Sequence, residues 1–173
     1  MVEITLPIVL QILQTAGILV GIIYYITIMR NSQRTQDMTL KNRQAQLLLR
    51  MWDKTQSKEF NYDLNTVFEM EWENYDDFIE KYGRKNNSEA WNAFGSILNF
   101  CEGLGVMVKN DLIDPSLVDD MESNLIVTSW EKLSPIIIEF QKRNNFPTFC
   151  EQYEYLYHQI APIYYRQHPE LKT

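Results

Sequence analysis

Glu154 and His158 stand four residues apart, a spacing that places both on one face of a helix and offers either two metal ligands or an acid and base. A working centre needs at least one more convergent group, and helix-borne carboxylate sites draw on several helices. The other histidine, His168, lies beyond Pro162 near the C-terminal end. Glu154 and His158 are therefore read as a surface pair. The acidic residues Glu69, Glu71, Glu73, Asp76 and Asp77 are a second concentration of ligand-type groups. Hard cations want several oxygens converging, whereas these acids fall around an amphipathic pattern with Phe68, Trp72 and Phe78 at the buried positions. They lack the glycine-turned spacing of an EF-hand loop and read as a solvated face. Cys101 and Cys150 sit in apolar, aromatic surroundings without CxxC or metal-like spacing, which predicts buried, reduced thiols. No Ser/His/Asp or Cys/His grouping, phosphate-cradling glycine loop or zincin motif occurs. These residues name no catalytic group, cofactor or metal, and they incline against an enzyme.

Asn99, Glu102, Gly103 and Gly105 bring polar and small residues into an otherwise apolar helical stretch. Each internal glycine costs about 1 kcal/mol relative to alanine, so the patch predicts close helix packing. Glu102 drawn inward would need a partner such as Lys109 or a tyrosine. A pocket in the bundle would be sought here, with Glu102, Tyr82 and His158 as its polar contacts.

The element that decides location comes first in the chain. Ile4 to Met29 form an uncharged, mostly apolar run of 26 residues, closed by Arg30, Arg34, Lys41 and Arg43. A helix of that length reaches about 39 Å, enough to cross a hydrocarbon layer of about 30 Å even when tilted. The run lacks the positive leading region and small-residue cleavage site of a signal peptide. Short Lys- and Arg-rich flanks stay in the cytoplasm, so the amino terminus is expected outside and the body inside, in a single pass of the cell membrane. Tyr24 and Tyr25 suit the headgroup region beside that basic collar. Gly17 and Gly21 form a GxxxG pair, with Gln14 and Tyr24 on the same face, and a parallel homodimer through this helix is expected.

Charge supports the same arrangement. Five of the sixteen basic and two of the twenty-three acidic residues lie in the first fifty positions, leaving the remainder with a net charge of −10. Such a body disfavours nucleic acid as a partner. The expected partners are the lipid bilayer, a second copy of the chain and an unknown cytoplasmic protein.

No glycine or proline occurs between Gly21 and Gly83, so the membrane helix (residues 4–30) is expected to continue as a stalk over residues 31–56. Leu40, Leu47, Leu48, Met51 and Trp52 mark an apolar stripe along it. Residues 57–173 then predict a compact all-α domain of about four to six helices. Ser57 starts one helix, and another, Tyr75 to Tyr82, ends in a left-handed cap at Gly83. Ser88 starts the next, which ends near Asn110. Asp114 before Pro115 is a strong helix start, and Pro135 is expected to kink or restart that helix. Thr148 and Glu151 predict a capping box for the last.

The strings QAQLL (Gln44 to Leu48), YDDFIEKYG (Tyr75 to Gly83), FCEGLGVMVK (Phe100 to Lys109), WEKL (Trp130 to Leu133) and YEYLY (Tyr153 to Tyr157) resemble an uncharacterised prokaryotic, often archaeal, family. Its members are short proteins with an N-terminal membrane anchor and a helical cytoplasmic body, grouped as a domain of unknown function. Cys101 departs from the phenylalanine such relatives often carry before the Glu-Gly-Leu-Gly segment. The resemblance implies an anchored helical protein and supplies no activity. The function expected is therefore protein interaction or self-association at the membrane. The alternatives are a tethered small-ligand sensor or enzyme with a bundle pocket, and a small subunit of a larger membrane complex that would expose apolar surface over residues 40–72.

Overall fold

The computed structural model describes residues 6–171, so Ile4 and Thr5, where the predicted membrane run begins, lie outside the described residues. The described chain is all-α: α1 (Leu6–Thr55), α2 (Lys58–Glu69), α3 (Tyr75–Tyr82), α4 (Ser88–Lys109), α5 (Pro115–Arg143) and α6 (Glu151–Gln167), closed by a short 3-10 turn at Pro169–Leu171. Contacts divide it into two units, Met1–Ala45 and Gln46–Thr173.

In the first unit, α1 is long and apolar enough to cross a membrane, and every side chain from Leu6 to Met29 is exposed. Two of its threonine hydroxyls are satisfied internally: Thr15 donates to the Gln11 carbonyl at 2.9 Å and Thr27 to the Ile23 carbonyl at 2.8 Å. That arrangement lets a helix carry threonine into an apolar medium without an unpaired donor.

The second unit is a bundle in which α6 packs on α4 and α5, α2 packs on α4, and α3 touches α4 and α5. Its core joins Phe60 and Val67 of α2, Phe78 of α3, Ile97 and Leu104 of α4, Ile126, Leu133 and Ile137 of α5, and Leu156 and Ile160 of α6. Leu47, Leu48 and Met51 in the last turns of α1 pack against that core, while Trp52 remains exposed. Thr55 ends α1 with a hydroxyl donated to the Glu122 carboxylate of α5 at 2.8 Å.

The helix ends show where local sequence governs and where it does not. Ser57 caps α2 by accepting from the Phe60 N–H, and Asp114 caps α5 by accepting from the Ser116 N–H at 2.8 Å, with Pro115 at the first helical position. Gly83 ends α3, but with φ −63° rather than left-handed. Glycine is required there for a different reason: a Cβ would fall 2.3 Å from the Ile79 carbonyl oxygen. Ser88 is the first residue of α4, and the cap is Asn87, whose side chain accepts from the Ala90 N–H. Pro135 neither ends nor restarts α5. It is exposed, as is Glu131, whose carbonyl loses its helical partner and can take one from water.

The predicted Thr148 and Glu151 capping box does not form. Cys150 is the residue before α6, held at φ 59° with no side-chain cap bond. Both this helix start and the end of α2 are completed from elsewhere in the bundle. Lys132 of α5 donates to the Phe68 and Met70 carbonyls at 2.8 Å each, satisfying the C-terminal turn of α2. Glu102 of α4 does the same for the start of α6.

Candidate functional site

Glu102 lies on α4, one turn beyond Leu98 and one turn before Val106, and its Oε2 accepts the Tyr153 N–H at 2.8 Å. Tyr153 is the third residue of α6, so this is the bond an N-cap side chain would ordinarily make, supplied here by a carboxylate 51 residues away. The charge also faces the positive end of the α6 dipole. Gly105 permits the approach: a Cβ there would fall 2.0 Å from the Gln152 carbonyl oxygen, so α4 and α6 meet backbone to backbone. Gly103 does not share that role, since a Cβ there meets nothing within 4 Å.

Glu102 also lines a cavity of about 320 Å³ between α4 and the segment joining α5 to α6. On the α4 side the wall is Trp91, Phe94 and Leu98, with the Trp91 and Phe94 rings 5.7 Å apart. On the connecting side it is Phe146, Thr148 and Phe149. That segment is fixed by the Gln141 amide, which donates to the Phe149 carbonyl at 2.7 Å, and by rings of Phe140 and Phe149 at 4.5 Å. Gly95 forms part of the lining, and a Cβ there meets nothing within 4 Å. The polar lining comes from Asn99, Glu102 and Thr148, with the Cys150 thiol beside them. Burial pushes that thiol up to about 12, so it is neutral at physiological pH. Glu102 therefore supplies the formal charge of the lining. Its Oε1 accepts no hydrogen bond from the described residues.

Tyr82 and His158 stand elsewhere. The Tyr82 hydroxyl lies against the Glu71 backbone, accepting its N–H at 3.1 Å and facing its carbonyl at 3.3 Å, and so fixes the connection between α2 and α3. His158 is 66% exposed, with Nε2 3.9 Å from Glu154. It belongs to an outer depression of α6 with Tyr157, Pro162 and Tyr165. Of the three residues expected to gather at a pocket, the bundle brings Glu102 to one and leaves the other two apart.

The acidic series is dispersed along the end of α2, the connection and the first turn of α3. Asp76 pairs with Arg143 of α5, which holds its carboxyl below the usual range. Asp77 pairs with Lys81 at 2.8 Å and is lowered for the same reason. Gln14, Gly17, Gly21 and Tyr24 share an exposed face of α1, and nothing lies within 4 Å of a Cβ built on either glycine. Cys101 is fully buried beside Ser129 and Tyr153, and burial raises its thiol to about 12. There the Ser129 and Tyr153 hydroxyls share a hydrogen bond, which satisfies a tyrosine placed at the centre of the core.

A model of one family, described as a domain of unknown function (DUF4760), matches residues 11–160. The chain belongs to the DUF4760 family. The match takes in α1 from its second turn, all of α2 to α5 and α6 as far as Ile160, so Glu102, the cavity and the glycine contact are parts of the DUF4760 domain. No curated protein matches the chain, and neither does a solved structure.

Proposed function

We propose that this DUF4760 protein is anchored in the cell membrane by a single pass of α1, with its amino terminus outside and its helical body in the cytoplasm. The body serves interaction with a protein partner or with a second copy of the chain. The observation that carries this is the α1 surface: an uncharged, fully exposed apolar stretch to Met29, followed at once by Arg30, Arg34, Lys41, Arg43 and Arg50. An apolar surface of that length is costly in water and stable in a bilayer, and the basic residues favour retention of their side in the cytoplasm. The bare face of Gln14, Gly17, Gly21 and Tyr24 supports pairing of two such helices, because close backbone approach replaces the hydrophobic drive that lipid does not provide. Leu49, Trp52, Tyr62 and Phe68 add exposed apolar surface at the start of the body, within the region where a larger complex would bind it as a subunit.

A reporter fused after Thr173 tests the topology: activity restricted to a cytoplasmic reporter is expected, and an exported signal overturns the orientation. In a membrane self-association assay, Gly17→Ile with Gly21→Ile should lower the signal, and a signal equal to wild type removes the pairing. Gentle detergent extraction followed by affinity purification and mass spectrometry tests interaction, and recovery of monomeric bait alone counts against it. A second reading, a tethered small-ligand sensor, is favoured by one observation, the cavity at Glu102.

A further inference from the structure

Four aromatic rings, one carboxylate and no basic side chain line the Glu102 cavity. Its volume of about 320 Å³ sits at the small end of ligand sites, which run from about 300 to 1,000 Å³. Trp91, Phe94, Phe146 and Phe149 line it, and ring faces attract a positive group, an ammonium most of all when it is desolvated. Glu102 engages Tyr153 through Oε2, which leaves Oε1 for a ligand without breaking the α6 cap. Asn99 and Thr148 add hydrogen-bonding groups to the same lining. An anion would meet this carboxylate in a chain of net charge −7, with no lysine, arginine or histidine in the lining to offset it. Phe146, 49% exposed, stands at the surface, so one wall of the cavity is accessible from solvent.

We propose that this cavity binds a small organic ammonium ion carrying an apolar group, with the charge at Glu102 and the apolar part against Trp91, Phe94 and Phe149. The site is independent of anchoring and of pairing through α1, so either conclusion can fail without the other.

Three probes matched in their phenyl group and chain length test it on the full chain in lipid nanodiscs: 3-phenylpropylammonium, 3-phenylpropanol and 3-phenylpropanoate, followed by ligand-observed NMR and calorimetric titration. The ammonium should bind at least about tenfold more tightly than the alcohol, with the carboxylate weakest. Gly95→Leu should abolish binding while leaving the fold intact, because Gly95 lines the cavity and a Cβ built there meets nothing within 4 Å. Glu102→Gln keeps an oxygen for the Tyr153 N–H and should erase the preference for the ammonium over the alcohol. Equal binding of all three probes overturns the proposal. So does the same ammonium signal from Gly95→Leu, which would mark partition into the bilayer, and so does absence of ammonium binding at millimolar concentration.

Discussion

Replacing Glu102 by alanine should destabilise the bundle through the start of α6, and replacing it by glutamine should do so much less. The wild-type carboxylate accepts the Tyr153 N–H at 2.8 Å, while Cys150 offers α6 no side-chain cap of its own. Loss of an N-terminal acceptor costs about 0.5–2 kcal/mol, and loss of a negative charge at the positive helix end about 0.3–1 kcal/mol. Alanine forfeits both, about 1–3 kcal/mol in sum, whereas glutamine keeps the acceptor and forfeits about 0.3–1 kcal/mol. For a unit of this size those figures correspond to a fall in Tm of about 3–15 °C for Glu102→Ala and about 1–5 °C for Glu102→Gln. Circular dichroism on the full chain reads the midpoint, and hydrogen exchange at the Tyr153 amide reads the bond itself. Exchange there should accelerate strongly in Glu102→Ala and little in Glu102→Gln. Equal effects of the two variants, or an unchanged Tyr153 amide in the alanine variant, would refute the assignment of Glu102 as the α6 cap.

Gly105→Ala should lower stability by about 1–3 kcal/mol or more, because its Cβ would fall 2.0 Å from the Gln152 carbonyl oxygen, whereas Gly103→Ala should raise it by about 0.5–1 kcal/mol; paired denaturant titrations compare them. Cys101 and Cys150, both raised to about 12 by burial, should resist iodoacetamide at pH 8 in the folded protein and react on unfolding, as intact-mass spectrometry would show. Glu122→Gln should raise Tm at pH 7 while keeping an acceptor for Thr55. Burial raises the Glu122 carboxyl above its ordinary range, so its ionised form opposes folding at neutral pH, and that opposition disappears as pH falls and the group protonates. Melts from pH 7 down to pH 4 should therefore show the advantage of the glutamine variant shrinking, and an advantage that grows on acidification would contradict this.

The elements legible in the chain are those specified by neighbours in sequence. Ser57 and the Asp114–Pro115 pair declare helix starts through side chains that reach two or three residues forward, and the structure places α2 and α5 there. The unbroken stretch after Gly21 likewise becomes a helix continuing to Thr55. Features set by distant partners were not legible. A capping box at Thr148 and Glu151 is sound local chemistry, yet the Tyr153 N–H goes to Glu102, and Cys150 adopts a left-handed conformation in which cysteine gives no sequence signal. Of the two outcomes expected at Pro135, a kink or a restart, the restart does not occur: α5 continues through it, with Leu133, Ile136 and Ile137 buried on the other side of the helix. Glu102 stood out as a polar residue among small ones. The opposite wall of its cavity did not, although Phe146 and Phe149, two aromatics in a short connection, were the available hint.

The contact at Gly105 has a further consequence for how singular this bundle can be. Helices faced with interchangeable aliphatic side chains can slide by a turn, about 5.4 Å, at little loss of buried area. Here the α6 backbone rests directly on α4 at Gly105, and the neighbouring positions on that face, Cys101 and Val108, both carry a Cβ into the core. A shift of one turn either way would drive the Gln152 carbonyl into one of them. A missing methyl group thus indexes α6 against α4, as a notch indexes a key, and it holds Glu102 level with the one amide of α6 that it has to meet.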